Sequence, residues 1–379
     1  MVFGTSDSCN TLVTLDEYKV SQGGKQINNN EENEEYVKTE LLLPMDDYGD
    51  GDFAKLPEQN LYLPSSISVD EYFRHVPRLI ESCDELLAND PRRFTKSCSD
   101  RIIYVAQGEL GYVLPTQADV IVSDKATTCH ILALRSEAGD SSPLASLAHI
   151  DSTSYEDCIR KMFVEHLKHH RATESNHRDW KVRIEVHIMG GFDDEGCASR
   201  KISCWLMTLL AAIADEYKDT SKVVLRTCAI SSMNDNGYSS PIGRGLGLDT
   251  RTGEPFLAKV DCEVSGPSPA LRAARIWSGS GASKLSVIHT HVSSEIRIEP
   301  FSYSPFPELG QLLELPDHIL LRYTSTSPDV EEPDFCSSVR STLRFLRDVK
   351  CYSMFGSGLN KPLIFRRANG TSNSWKRAQ

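Results

Sequence analysis

The stretch Val182-Arg183-Ile184-Glu185-Val186-His187-Ile188-Met189 alternates apolar and polar side chains with a period of two. That is the pattern of a strand with one face against a core. It ends in Gly190-Gly191, where the lack of Cβ atoms lets backbone approach another group closely. A strand of this kind needs partners. Val120-Ile121-Val122 and Ile131-Leu132-Ala133-Leu134 are short apolar runs bounded by polar residues and read as buried strands, and Leu144–Ile150 and Lys222–Ile230 join them. Arg101–Val105 reads as a strand leading to a turn at Gly108–Gly111, and Arg135–Pro143 as a polar loop. Helices are expected from Ser68, a cap with Glu71 three residues on, and over Ile80–Leu87, whose apolar residues have helical spacing. Another follows Asp151-Ser152-Thr153-Ser154, with Ile159, Phe163 and Leu167 on its apolar side and His166, His169 and His170 on a solvated face. Ile202–Tyr217, Pro269–Trp277 and Asp334–Asp348 are helical in pattern, and Lys284–Ile288, Glu295–Ile298 and Leu363–Phe365 read as strands. Gly243-Arg244-Gly245-Leu246-Gly247 lacks the preceding strand and following helix of a dinucleotide fingerprint; with Leu248–Phe256 it reads as a hairpin turn into another strand.

Between the runs at Val120 and Ile131 lies Ser123-Asp124-Lys125-Ala126-Thr127-Thr128-Cys129-His130. Charge and hydroxyls at a strand break do nothing for a core. A thiol there becomes a nucleophile when an imidazole or backbone N–H groups stabilise its thiolate. His149, on the next apolar run, can return an imidazole to Cys129. Such a pair would supply a nucleophile and an acid–base for covalent catalysis. A buried core cysteine is the bland alternative for Cys129.

Composition narrows the partners. The chain carries 53 acidic and 41 basic side chains, a formal charge of -12, which argues against coating a nucleic-acid backbone. Residues 1–58 hold 13 acidic against 4 basic side chains, including Glu31-Glu32-Asn33-Glu34-Glu35 and Asp46-Asp47. Such a segment buries too little apolar surface to offset its ordering entropy and is expected to be mostly disordered. Residues 59–379 are expected to form the catalytic domain. No apolar run approaches a bilayer span and the N-terminus lacks a signal-peptide pattern, so no membrane partner is expected. Eleven scattered cysteines without a Cys-x-x-Cys pair point to reduced thiols, with no metal site.

Ser-Asp-x-Ala-Thr-Thr-Cys-His at 123–130 and Ile184–Phe192 resemble the protein N-terminal asparagine amidohydrolases. The resemblance continues through Leu271-Arg272-Ala273-Ala274-Arg275, Ser304-Pro305-Phe306-Pro307, Ser325-Thr326-Ser327-Pro328 and Ser341–Leu346. It covers the chain from about Leu61, and the N-terminal part departs from it. It implies a cytoplasmic or nuclear, cofactor-free monomer that deamidates an N-terminal Asn to Asp, creating a residue for arginylation and N-degron degradation. Its partners would be proteins or peptides beginning with Asn. Cys129 is then the nucleophile and His149 the acid–base. The substrate's ammonium calls for a carboxylate, for which Asp124 and Glu185 are favoured over Asp193 and Asp194. Thr127, Thr128 and His187 are expected to line the pocket, with Gly190 and Gly191 beside it.

The arrangement is also similar to the bacterial chemoreceptor glutamine deamidases, which place a hydroxyl residue six positions before the cysteine and carry a glycine pair. That likeness implies Ser123 as the group orienting His149, with Asp124 or Asp151 as alternatives. It implies an α+β fold, a layered α-β-β sandwich with two β layers and helices against them. The competing readings are a non-catalytic binding module of the same fold and a cysteine amidase or peptidase of different specificity. The local signature of papain-like peptidases is not recognisable here.

Overall fold

A computed structural model describes residues 77–171, 181–192, 194, 196–237, 240–278, 284–368 and 373–378. The expected disorder of residues 1–58, the helix from Ser68 and the carboxylate of Asp193 lie outside the described residues. The first half runs α1 (Pro77–Leu87), β1 (Arg92–Phe94), β2 (Ile102–Tyr104), β3 (Glu109–Val113), β4 (Val120–Ala126), β5 (His130–Glu137) and β6 (Leu144–Ile150). It continues through α2 (Glu156–Arg171), β7 (Val182–Gly190), α3 (Ala198–Glu216) and β8 (Ser221–Ile230). Then come β9 (Arg244–Asp249), β10 (Pro255–Val260), α4 (Pro269–Trp277), β11 (Ser286–Thr290) and β12 (Ser293–Ile298). The chain ends with α5 (Leu309–Glu314), α6 (Asp317–Thr324), α7 (Phe335–Asp348), α8 (Cys351–Phe355), β13 (Leu363–Arg367) and β14 (Trp375–Arg377).

The described residues form a mixed α+β fold with two sheets. The larger has the order β14-β13-β12-β11-β3-β6-β5-β7-β8 and the smaller β1-β10-β9-β4-β2. Strand alternation divides the core. Leu132, Leu134, Ile184, Val186 and Ile188 pack with Phe163 of α2 and Leu206 and Leu210 of α3. Their neighbours along the same strands, Ile131, Ala133 and Met189, pack instead with Ile121, Leu246, Leu248 and Leu257 of the smaller sheet. The far face of the smaller sheet carries Val120 and Val122, packed with Phe94 and Val260. Each buried Leu or Ile contributes about 1.5–3 kcal/mol relative to an exposed one, so the period-two pattern fixes which face each strand presents.

Several local expectations change. The turn expected at Gly108–Gly111 is largely β3, paired antiparallel to β6, and β5 extends through Arg135 and Ser136 to Glu137. The glycine run from Gly243 belongs to β9, which hairpins onto β10. His166 and His170 are buried rather than solvated. They are four residues apart on one face of α2, and the sheet beneath offers hydroxyls instead of apolar groups. Ser136 Oγ lies 2.6 Å from His166 Nδ1 and 2.8 Å from His170 Nε2, and Ser146 Oγ lies 2.6 Å from His166 Nε2. Bonded polar groups can be buried at little cost, which makes this face a satisfied polar layer.

Candidate active site

β4 stops at Ala126 and β5 begins at His130, leaving Thr127-Thr128-Cys129 as a bend. The register of β4 against β9 slips between Ser123 and Ala126, and Lys125 within the slip has φ +59°. A bulge of this kind re-aims the residues that follow it, here the bend carrying the thiol. Ser123 shares the face of Ile121, which looks into the layer between the sheets. His149 faces Ile131 across the β5–β6 pair, so its side chain enters the same layer from the other sheet. Ser123 Oγ and His149 Nδ1 meet at 2.7 Å, both residues buried. With Nδ1 engaged, Nε2 is the imidazole nitrogen left for chemistry. Cys129 is two residues before Ile131, the diagonal neighbour of His149 on that face.

The glycine pair acts on the backbone of Cys129. Gly191 N–H donates to the Cys129 carbonyl at 2.8 Å. A Cβ on Gly190, which has φ +108°, would lie 2.4 Å from that carbonyl oxygen. A Cβ on Gly191, at φ +69°, would lie 2.4 Å from the His130 ring and 2.8 Å from Ser199 Oγ. Asn234 locks the pair from behind: its amide donates to the carbonyls of Gly190 (3.0 Å), Gly191 (3.1 Å) and Ala229 (2.7 Å). Arg244 Nε in turn donates to Asn234 Oδ1 at 3.2 Å. Nothing local marks Asn234 in the sequence, since these contacts depend on a short 3-10 turn that returns it to the end of β7.

Burial and nearby carboxylates act on both members of the Cys129–His149 pair. Burial pushes the Cys129 thiol well above the ordinary range, and the charges of Asp151 and Glu331 push in the same direction, against a hydrogen bond from Thr128. Burial pulls His149 down, while Asp151 and Glu109 partly oppose it. His130, next to Cys129 and bonded through Nε2 to Ser203 Oγ at 2.7 Å, is held at about 3 by burial and by His149. The half-buried thiol and the buried imidazole are thus each driven toward the uncharged form.

The other expected residues are dispersed. Asp124 lies on the opposite face of β4, with Val120 and Val122, and accepts hydrogen bonds from Tyr104 Oη (2.9 Å) and Val260 N–H (2.8 Å). Glu185 pairs in register with Arg135, five residues along β5 from His130, which at about 3.3 Å per residue is roughly 16 Å away. Its carboxylate meets Arg183 at 3.1 Å and Arg226 at 3.6 Å. His187 is also displaced along the strand; its Nδ1 meets Thr227 Oγ1 at 3.2 Å and its Nε2 is buried without a partner. Thr127 and Thr128 are half-buried in the bend, and Thr128 Oγ1 meets Thr326 Oγ1 at 3.1 Å. Asp194 caps α3, accepting from Ala198 N–H at 2.7 Å and Ser199 N–H at 2.9 Å.

The Thr128–Thr326 contact brings the distant Ser325–Asp334 segment to the site. Lys125 pairs with Asp334 at 3.2 Å, Lys259 with Glu332 at 3.0 Å, and Ser325 donates to Glu331. Ser327 Oγ, in the same segment, is buried without a hydrogen-bond partner. On the other side, Gly108 N–H donates to the His149 carbonyl at 3.0 Å. Next to it, the fully buried Glu109 is paired with Arg272 at 2.5 Å and Arg275 at 3.5 Å. The Leu271–Arg275 motif therefore supplies countercharge behind His149. No three His, Cys, Asp or Glu side chains among the described residues are grouped to hold a metal ion, and no described helix is long and apolar enough to cross a membrane.

Residues 92–377 match the family model described as protein N-terminal asparagine amidohydrolase. The chain is 31% identical over 268 residues to the protein N-terminal asparagine amidohydrolase of Sus scrofa, covering 70% of this chain and 81% of that one. It is 30% identical over 270 residues to the protein of the same name from Homo sapiens, with the same coverages. Similarity to the Arabidopsis thaliana protein of that name is 26% over 272 residues, 66% of this chain and 74% of that one.

Proposed function

The chain belongs to the protein N-terminal asparagine amidohydrolase family, and from that premise we propose that it hydrolyses the side-chain amide of an N-terminal asparagine, giving N-terminal aspartate and ammonia. Cys129 is the nucleophile, His149 the acid–base, and Ser123 the group that orients the imidazole. The observation that carries this assignment is the 2.7 Å contact between Ser123 Oγ and His149 Nδ1 across the two sheets. A serine accepting from Nδ1–H leaves the Nε2 lone pair free to take the thiol proton.

Chemistry then follows in balanced steps. His149 Nε2 takes the Cys129 proton as sulfur attacks the amide carbon, and the carbonyl electrons move to oxygen. Backbone N–H groups at the Thr127–Cys129 bend receive that oxyanion. Collapse breaks the C–N bond while His149 returns its proton to nitrogen, so ammonia leaves and a thioester remains. Water, deprotonated by His149, attacks the thioester; the C–S bond breaks, the aspartate side chain departs and the thiol is regenerated. No cofactor takes part.

Residues 59–379 act as one catalytic unit, with a fold like that of the chemoreceptor glutamine deamidases: helices α2 and α3 lie on one face of the large sheet and the small sheet on the other. The enzyme works as a monomer on proteins or peptides, in the cytoplasm or nucleus, and its product is the N-terminal aspartate that feeds arginylation and N-degron degradation. Among the expected binding residues, Gly190 and Gly191 position Cys129, whereas Asp124 and Glu185 serve structural pairs.

Ammonia release from peptides identical except at residue one tests the reading. Asn should be turned over, while Gln and N-acetylated Asn should be inert. Cys129→Ser should lower turnover by at least ~10³-fold with little change in melting temperature, because the alcohol is a weaker nucleophile without strong activation. More than a tenth of wild-type activity in that variant would remove Cys129 from the nucleophile's role. No ammonia from any peptide would favour a binding module.

A further inference from the structure

We propose that Asp151 binds the substrate's α-ammonium and that this contact switches Cys129 from an inert to a reactive thiol. The inference rests on the function proposed above and names a specificity residue for it. His130 faces Ile150 in the β5–β6 register, so one further step sets Cys129 opposite Asp151 where the two strands end. Directly opposed residues bring their Cβ atoms to roughly 5 Å. Continued alternation then puts Asp151, which is half-buried, on the face shared by His149 and Cys129.

The carboxylate is held in place by neutral donors. Tyr155 Oη donates to its Oδ1 at 2.6 Å and Gln107 Nε2 to its Oδ2 at 2.7 Å. Among the described residues no lysine or arginine is ion-paired with it. A fixed negative charge beside a nucleophilic thiol opposes ionisation of that thiol, and Asp151 acts on Cys129 in this direction. The arrangement hinders catalysis until a cation arrives. An α-ammonium is such a cation, and in asparagine it is two bonds from the β-carbon that carries the amide. Seating it on Asp151 offsets the opposing charge at the moment the amide comes within reach of sulfur.

The other groups around Cys129 are less suited. Glu331 also acts on it, but its carboxyl accepts from Ser325 and burial raises it toward the neutral form. Glu109 faces His149 and already holds Arg272 and Arg275. Ser327, whose buried Oγ lacks a hydrogen-bond partner in the segment bonded to Thr128, is neutral and offers an ammonium no countercharge.

The full-length protein tests this with two readouts that should move in opposite directions. In Asp151→Asn, alkylation of Cys129 by iodoacetamide at neutral pH, followed by peptide mass spectrometry, should be about tenfold faster, since an opposing charge is gone. The same variant should lose about 100-fold or more in kcat/KM for an Asn peptide. It should also lose discrimination against the succinamoyl peptide, in which hydrogen replaces the ammonium. Wild type should prefer the Asn peptide by about 100-fold, and the variant by less than about tenfold. Undiminished discrimination, or unchanged alkylation, in a folded variant overturns the proposal while leaving wild-type deamidation standing. If wild type fails to deamidate the Asn peptide, the parent reading has failed instead. Gln107→Ala alters an exposed residue and keeps the charge while loosening it. It should raise KM several-fold with kcat nearly constant, and an unchanged KM counts against the proposal.

Discussion

Replacing Gly190 by alanine tests the claim that the glycine pair sets the nucleophile's position. Two separate costs arise. The backbone angle of +108° is one that L side chains rarely adopt, at about 1–3 kcal/mol. The new Cβ would also stand 2.4 Å from the Cys129 carbonyl oxygen and 3.0 Å from Ala126 Cβ. Relief requires backbone to move by up to ~1 Å, because van der Waals contact to carbon is reached only beyond ~3 Å. That movement stretches the 2.8 Å bond from Gly191 N–H to the same carbonyl. An unmade buried backbone bond costs about 1–3 kcal/mol. The total, about 2–6 kcal/mol, is a large part of a typical 5–15 kcal/mol stability but need not unfold the chain. Activity should suffer beyond stability, because a misplacement of ~1 Å costs on the order of 10²-fold. Urea midpoints give the first quantity, and kcat/KM for an Asn peptide, measured well below the melting temperature, gives the second. Gly310→Ala is the control: a Cβ there has nothing within 4 Å, and it should change neither by much. A Gly190→Ala protein that behaves like this control would refute the clamp.

Ser123→Ala should lower kcat by on the order of 10²-fold with KM nearly unchanged, because an unheld imidazole is less often the correct tautomer and orientation; wild-type kcat would exclude Ser123 as the orienting group. Stability should fall as pH drops from about 6.5 toward 4. His130 and His187 are held at about 3, and His170 at about 4, chiefly by burial, all below the unfolded value near 6.5. Within that window the unfolded chain binds protons that the folded chain cannot, so ∂ΔG/∂pH is positive, and above it the contribution is constant. Melting temperatures in matched buffers between pH 4.5 and 7.5 check the sign, and a maximum near pH 5 would contradict it.

The parts of the site legible in the sequence are those set by local pattern. The two apolar runs around Thr127–Cys129, the next run carrying His149 and the alternating strand ending at Gly190-Gly191 all depend on period-two burial, which neighbouring residues specify. What was not legible depends on register, bulge and return path. Asp124 and Glu185 lie close to the motifs in sequence, yet alternation turns one to the other side of β4 and register carries the other far along β5. Conversely, Glu331 and Thr326 reach Cys129 and Thr128 from about two hundred residues away, which no local pattern can signal. His166 and His170 looked solvated because their chain neighbours are charged. Their burial is decided by Ser136 and Ser146, on strands that the histidines meet only in three dimensions.

The shift of both Cys129 and His149 toward their uncharged forms bears on how a reaction at this site would begin. Sequence logic asks a catalytic cysteine to have a stabilised thiolate, with a nearby cation or helix N-terminus to lower its pKa. Here the thiol lies in the layer between two sheets, with the carboxylates of Asp151 and Glu331 acting on it, and His149 is pulled toward neutrality by the same burial. A preformed ion pair would make the thiol reactive toward any electrophile that reached it. A neutral pair makes proton transfer part of the attack, so reactivity depends on what else is bound. The substrate class indicated by the family carries a positive charge two bonds from its scissile side chain. On the proposal made above, Asp151, just past the end of β6, is the group that would answer to that charge. On that proposal, specificity for a chain terminus and control of the thiol would share one physical cause, the sign of the field at Cys129.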